Sequence, residues 1–316
     1  MTTTIPQEVK PSEQQKRVYY SAIEKFEKHQ KLKAELLPYL EANHPHLFAN
    51  QIRHNRIKEC CNVVSFRRYL ETGDVKLTSS TFCKYDRICI ACATKRAMRM
   101  IKKFSLGVDQ YKLWNKNRYY IVLTIQHNQN DTLEELLAKL MKYKEQLARN
   151  YRNGKRNTQR NKSFFSQFDG MVTSVEIAHR GKNGWHPHIN ILACTDNEIQ
   201  IDNRFVRGAT NDQLLNERKQ ITGGSYIHNI RKINVTTKHF SRSGVGEVFK
   251  YAIKFSDLTV EQLSEVMIAQ DLHQYRFFAT YGIFRGWKLD EKEKQGGDWK
   301  DGLFLYDSEN TNYKKI

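Results

Sequence analysis

The sequence predicts an α+β fold around an antiparallel sheet, and three observations carry that expectation. Strand-like runs are mixed with helical ones along the chain, and two such runs are joined by a short glycine-bearing connection of hairpin type. No internal repeat divides the chain into copies. The elements follow in order. Residues 13–42 read as a helix, with Val18, Ile23, Phe26, Leu36, Leu37 and Leu40 at roughly helical spacing. His44-Pro45-His46 then reads as a helix-terminal turn before Leu47-Phe48. Ala93 to Lys103 is a good helix sequence, and Arg118 to Gln126 is a buried strand. Asp131 and Glu134 have capping-box spacing ahead of Leu133, Leu136, Leu137, Leu140 and Leu147, an amphipathic helix. Residues 152–162 are polar, basic and turn-rich, so a surface loop is expected. Met171–Ile177 and the run from His186 through Ala193 read as strands joined through Arg180–Gly184. Ser225–Ile230 is a further candidate strand, and residues 246–255 read as a helix. The last thirty or so residues read as a loosely held tail. Four segments result: a helical region 1–58, a cysteine-rich module with a basic helix 59–112, a main domain 113–285 and a tail 286–316.

Lysine and arginine exceed aspartate and glutamate by 18. That balance favours a polyanionic partner, nucleic acid or an acidic membrane surface, and 16 tyrosines with 16 phenylalanines could stack unpaired bases. The sequence has no apolar run of about 18 residues and no basic-then-apolar N-terminal layout, so a soluble cytoplasmic protein with no membrane partner is expected. The pattern Gly-x-x-x-x-Gly-Lys-Ser/Thr is absent, which excludes an NTPase motor of that type.

Five cysteines crowd into positions 60–92. Cys89-Ile-Ala-Cys92 forms a knuckle, and Cys83 with Cys61 completes a four-thiolate set for structural Zn²⁺. Cys60 is left over in this reading, though it could replace Cys61. Cys194 reads as a small buried hydrophobe. Lys95, Arg96, Arg99, Lys102 and Lys103 follow the knuckle on one helix, a basic surface suited to phosphates.

His186-Pro187-His188 opens a strand, so both imidazoles fall on one face, and Glu176 on the preceding strand could supply a third ligand. The second His-Pro-His copy, at 44–46, has no carboxylate-bearing strand before it, and the metal is assigned to His186 and His188. On the helix of residues 246–255, Glu247, Tyr251 and Lys254 share a face. A phenol facing a phosphodiester can act as a nucleophile, Lys254 or Lys250 would neutralise phosphate charge, and Glu247 could take a proton.

In this order the Leu123-Thr124 strand, Glu176, Trp185-His186-Pro187-His188 and Glu247-x-x-Lys250-Tyr251-x-x-Lys254 resemble the rolling-circle replication initiators of small bacterial plasmids, members of the HUH endonucleases. The segment Phe82-Cys83 with Arg87-Ile88-Cys89-Ile90-Ala91-Cys92 is similar to one that precedes the nuclease core in a branch of that family. The resemblance covers residues 59–285. It implies an antiparallel HUH nuclease core over 113–285, with the histidine strand central and helices on one face. It implies that His186, His188 and Glu176 bind Mg²⁺ or Mn²⁺. It implies that Tyr251 nicks a single-stranded or extruded-hairpin plasmid origin through a 5′-phosphotyrosine link, and that Glu247 activates water for the terminating cut. A host helicase and polymerase are the implied partners, with dimerisation left open. Asn190, where many relatives carry a third histidine, and Ile90-Ala91 between the cysteines depart from the family pattern. A single-tyrosine HUH transposase and a non-catalytic zinc-dependent DNA-binding regulator are the alternatives. The latter implies that Tyr251→Phe leaves function intact.

Overall fold

The computed structural model describes residues 13–156, 163–201, 212–225, 228–233, 258–288 and 298–316. Among them the elements, in chain order, are α1 (Glu13–Asn43), α2 (Gln51–Lys58), β1 (Val63–Tyr69), β2 (Val75–Ser80), α3 (Ile90–Gln110), β3 (Asn117–Thr124), α4 (Leu133–Arg156), β4 (Gly170–Glu176), β5 (His188–Thr195), α5 (Asp212–Thr222), β6 (His228–Lys232), α6 (Val260–His273), β7 (Phe278–Gly282), β8 (Trp299–Asp307) and β9 (Asn312–Lys315). Both sheets are antiparallel throughout, and the class is α+β as expected. The chain divides into two compact units, Met1–Cys92 with Lys292–Ile316, and Ala93–Glu291. No helix among the described residues is long and apolar enough to cross a membrane.

In the first unit the strand order is β2-β1-β8-β9. Val64 and Phe66 of β1 and Phe304 of β8 alternate with outward residues, so one sheet face is apolar and needs a cover. α1 supplies it: Phe26 meets Phe66 edge-on at 5.8 Å, and Phe66 meets Phe304 at 5.9 Å. The buried amide of Gln30 on α1 donates to Cys60 O at 3.0 Å and to Tyr313 Oη at 3.2 Å, fixing the helix to the cysteine loop and to β9. A 3₁₀ turn, Pro45–Phe48, follows α1 with His44 as its N-cap, so the second His-Pro-His is a helix-terminal turn as expected. The C-terminal residues correct the sequence reading. The expected loose tail holds β8 and β9, and β8 pairs with β1 from Val63↔Leu305 to Tyr69↔Trp299. The alternation Gly302, Phe304 inward and Leu303, Leu305 outward is a strand signal that the surrounding Gly, Asp and Asn obscure.

In the second unit the order is β6-β3-β5-β4-β7, which puts the histidine strand at the centre. β4 is buried along its whole length, as is β5 after His188. One sheet face, through Tyr120, Val172, Leu192 and Cys194, packs on Phe104 and Val108 of α3. On the opposite face Ile121, Leu123, Val175, Ile189 and Ile191 are fully buried, and α4 lies along β5. Helices therefore cover both faces, and the one-sided arrangement implied by the resemblance is corrected. The cause is the apolar stripe Met100, Ile101, Phe104, Val108, which makes the basic helix amphipathic.

Two boundaries also shift. The capping box of α4 is formed by Thr132 and Glu135, not Asp131 and Glu134: Glu135 N donates to Thr132 Oγ1 at 3.3 Å and Thr132 N to Glu135 Oε2 at 3.2 Å. Asp131 instead accepts from Asn128 N at 2.8 Å. At its other end α4 runs on to Arg156, into the expected loop.

Lys144 is an unusual passenger of α4. It is 4% exposed, and its Nζ donates to Arg276 O. Burial, with the Arg276 guanidinium second, pushes its pKa down to about 7 from the ordinary 10.5. The unfolded chain thus holds a proton that the folded chain gives up between these values, so stability rises as pH climbs through that window and is lowest below it. Lys144→Met is expected to stabilise the protein by about 1 kcal/mol at pH 7 and to flatten the rise of Tm between pH 7 and 10. Thermal melts at three pH values check this, and an unchanged pH dependence would contradict it.

Candidate functional site

The register of β4 against β5 sets Glu176 opposite His188 and Ser174 opposite Asn190. The register puts His188 and Glu176 on the same face, at the end of the sheet beyond the α3 contacts, and the His186 ring, two residues before β5, lies 5.6 Å from that of His188. His188 Nε2 lies 3.1 Å from Glu176 Oε2. Asn190 Nδ2 donates to that same oxygen at 2.8 Å, and Tyr120 Oη donates to Asn190 Oδ1 at 2.8 Å. The result is a polar row across three strands, Tyr120–Asn190–Glu176–His188. Glu176 is 8% exposed and Asn190 only 1%. A buried carboxylate without such donors would be costly, and this row offsets that cost for Glu176 inside the sheet. Asn190, a departure from the family pattern, is the clamp that aims the Glu176 side chain.

His186 precedes β5, and its N–H donates to Ala178 O at 2.7 Å across the connection. That connection turns through Gly184, whose φ of +70° and contact with Gln129 O, 2.8 Å from where a Cβ would stand, admit only glycine. The His186 ring lies 5.6 Å from that of His188 and 5.0 Å from that of His127. His186 Nδ1 is buried with no partner among the described residues. Burial, then the Arg180 charge, push the His186 pKa down to about 4, leaving the neutral imidazole that a metal needs. Two imidazoles and a carboxylate suit a divalent ion of the Mn²⁺ type in chemistry, while among the described residues it is the four cysteines alone whose ligand atoms all lie within 4.8 Å of one another. His127 was not foreseen. It stands just past β3, where its Nδ1 sits 3.1 Å from Ile125 O, and only the pairing of β3 beside β5 brings it to His186.

The Asn190 amide orients Glu176 through one bond, so if this site holds a divalent ion Asn190→Ala is expected to weaken Mn²⁺ binding by about 10–100-fold. A titration followed by electron paramagnetic resonance reads this directly. Affinity equal to wild type would show that the amide only fills space.

The cysteines form a second centre. The thiols of Cys60, Cys83, Cys89 and Cys92 all lie within 4.8 Å of one another, and all are buried. Sγ separations of 3.8 Å (Cys60–Cys92), 3.5 Å (Cys83–Cys92) and 3.4 Å (Cys89–Cys60) approach the edge, roughly 3.8 Å, of a tetrahedral zinc–thiolate site. Backbone N–H groups support the sulfurs: Cys83 N donates to Cys60 Sγ at 3.4 Å and Lys84 N to Cys92 Sγ at 3.3 Å. Bonds from the neighbouring thiols hold the Cys60 thiol well below its ordinary pKa. The cluster could hold a metal such as zinc. The expected set is corrected in one member, since Cys60 and not Cys61 stands with the other three. Cys61 adopts a left-handed backbone (φ +62°) in which its N–H donates to Thr81 O, and its thiol, 3.8 Å from that of Cys60, stands outside the cluster. Neither His44 nor His46 belongs to the cluster. Cys194 is buried in the second unit's core, where burial raises its thiol to about 12.

On α3, Arg96, Arg99, Lys102 and Lys103 are exposed and Lys95 is half-buried, opposite the stripe that meets the sheet. Glu247, Lys250, Tyr251 and Lys254 lie outside the described residues.

Comparison with known proteins adds a family. The family model described as a replication protein matches residues 74–314, running on through β8 and β9. A "Protein rep" of Bacillus amyloliquefaciens is 24% identical over 268 residues, covering 78% of this chain and 74% of that protein. A "Protein rep" of a Bacillus species is 22% identical over 269 residues, covering 78% of this chain and 82% of its own length. No solved structure matches.

Proposed function

Since the chain belongs to the replication-protein family of rolling-circle plasmid initiators, we propose that it starts replication by nicking one strand of its plasmid origin and joining itself to the cut end. His186, His188 and Glu176 hold the divalent ion. When bound, Mg²⁺ or Mn²⁺ supplies Lewis-acid polarisation of the scissile phosphate. Tyr251 Oη attacks phosphorus: the new P–O bond links tyrosine to the 5′ side, the P–O3′ bond breaks, and the 3′ oxygen takes up a proton to become the priming hydroxyl. The phenolic proton passes to Glu247 or water. Lys250 and Lys254 offset charge on the phosphate, and the basic face of α3 grips the backbone nearby. Glu247 later activates water for a terminating cut, so one tyrosine suffices. Strand separation and synthesis fall to a host helicase and polymerase. A Zn²⁺ on Cys60, Cys83, Cys89 and Cys92 stiffens the first unit.

The observation that carries the reading is the Glu176–His188 pair at 3.1 Å, clamped by a buried Asn190, with His186 beside it. A structural histidine pair needs no carboxylate held at that cost. The test is incubation of the full chain with single-stranded origin DNA in Mn²⁺ or EDTA, followed by a denaturing gel. A covalent protein–DNA band present only with metal is expected. Tight binding with no band under any metal would instead support the non-catalytic zinc-dependent regulator.

A further inference from the structure

Beside the histidine site the second unit carries a polar groove that nothing above uses. It is a cavity of about 840 Å³, within the roughly 300–1,000 Å³ of ligand clefts. Three elements form it: the residues just past β3, the outer side of α4 and the end of α5. Its wall offers Gln126, Asn128, Gln146 and Gln220, with Lys139 and Lys142 one turn apart on α4. Asp131 also lines it and is occupied by the Asn128 N–H at 2.8 Å.

The groove is built rather than incidental. Gln126 N donates to Ser225 Oγ at 2.9 Å, Ser225 N donates to Thr222 Oγ1 at 2.9 Å, and Thr222 Oγ1 donates to Arg218 O at 2.7 Å. The fully buried Arg218 donates in turn to Thr124 O, the last residue of β3. This chain of bonds ties the end of α5 to the strand exit and fixes the backbone that presents Gln126 and Asn128.

The chemistry of the wall selects its ligand. Primary amides donate and accept, which is what base edges require, while two lysines supply point charges for an anionic backbone. The aromatic wall residue, Tyr143, is buried, so recognition rests on hydrogen bonds rather than on stacking. Gln126 and Asn128 flank His127, whose ring lies 5.0 Å from that of His186. His127 thus links the two: a strand with one phosphate at the histidines would pass the β3 exit to lay its neighbouring nucleotides in the groove. We propose that this groove reads the bases flanking the scissile phosphate, with Lys139 and Lys142 on phosphates and Gln126, Asn128, Gln146 and Gln220 on base edges. The inference rests on the nicking reading, and it gives that site its sequence preference.

The test uses the full chain in two measurements. Fluorescence anisotropy in EDTA follows binding to a labelled single-stranded DNA across a salt series. Sequencing of the strands cut from a randomised single-stranded pool in Mn²⁺ gives the preference. For Lys139→Ala/Lys142→Ala, about tenfold weaker binding and a log–log salt slope shallower by about 1.4 are expected. For Gln146→Ala/Gln220→Ala, cutting persists while discrimination at one or two positions falls about tenfold. Wild-type affinity, salt slope and preference in both folded variants would overturn the groove while leaving the nickase intact. A wild-type chain that cuts nothing would sink the nicking reading and the preference with it. In that event a lysine pair without effect on anisotropy would also remove the groove as a nucleic-acid surface. Gln146 is half-buried and donates to Asn150 Oδ1 at 2.7 Å; melting temperatures within a few degrees of wild type confirm that the substitutions leave the fold in place.

Discussion

Replacing Tyr251 by phenylalanine is expected to abolish the covalent protein–DNA adduct, lowering cleavage on the order of 10³-fold or more, while origin binding stays within about twofold of wild type. The asymmetry follows from chemistry. Phenylalanine differs from tyrosine by one oxygen and leaves the net charge unchanged, so binding persists while no oxygen remains to form the phosphodiester. Gel-based cleavage and anisotropy binding measure the two effects separately. A metal-dependent adduct surviving in Tyr251→Phe would move the nucleophile to another residue. Equal activity with no adduct in either protein would favour a non-covalent role.

The second large effect concerns the cysteine cluster. Cys60→Ser is expected to weaken Zn²⁺ binding at least about 100-fold and to destabilise the first unit, because a structural zinc contributes its binding free energy to folding. Cys61→Ser should retain one zinc per chain. Cys61 Sγ lies 3.8 Å from Cys60 Sγ, yet Cys61 is not part of the four-thiol cluster. Elemental analysis of the purified variants, together with thermal melts, reads both. Zinc lost from Cys61→Ser and kept by Cys60→Ser would reverse the assignment.

What could be read without coordinates, and what could not, divides along physical lines. The short, mostly apolar runs of β3, β4 and β5 and the leucine spacing of α4 are local signals, and these elements appear within a few residues of their expected bounds. The choice between Cys60 and Cys61 is not local. Adjacent residues share every spacing argument, and only the left-handed turn at Cys61, set by its bond to Thr81, separates them. His127 and Asn190 were hidden for a similar reason. Their partners are on neighbouring strands, and register places Asn190 opposite Ser174, next to Glu176 on the same face. β8 was missed because its pairing partner, β1, lies more than 200 residues away in the chain. β1 itself fell within a stretch dominated by the cysteine pattern. The alternating burial of Val64, Phe66 and Phe304 is what reveals the pair.

The central claim is that one tyrosine becomes joined to the origin strand at a site held by His186, His188 and Glu176. The most direct test is tandem mass spectrometry of the protease-digested adduct formed in Mn²⁺, locating the residue that carries the nucleotide. A single modified peptide with the mass of a 5′-linked nucleotide on Tyr251, absent when His188→Ala replaces wild type, is the expected result. A nucleotide on any other residue, or an adduct undiminished in His188→Ala, would contradict it.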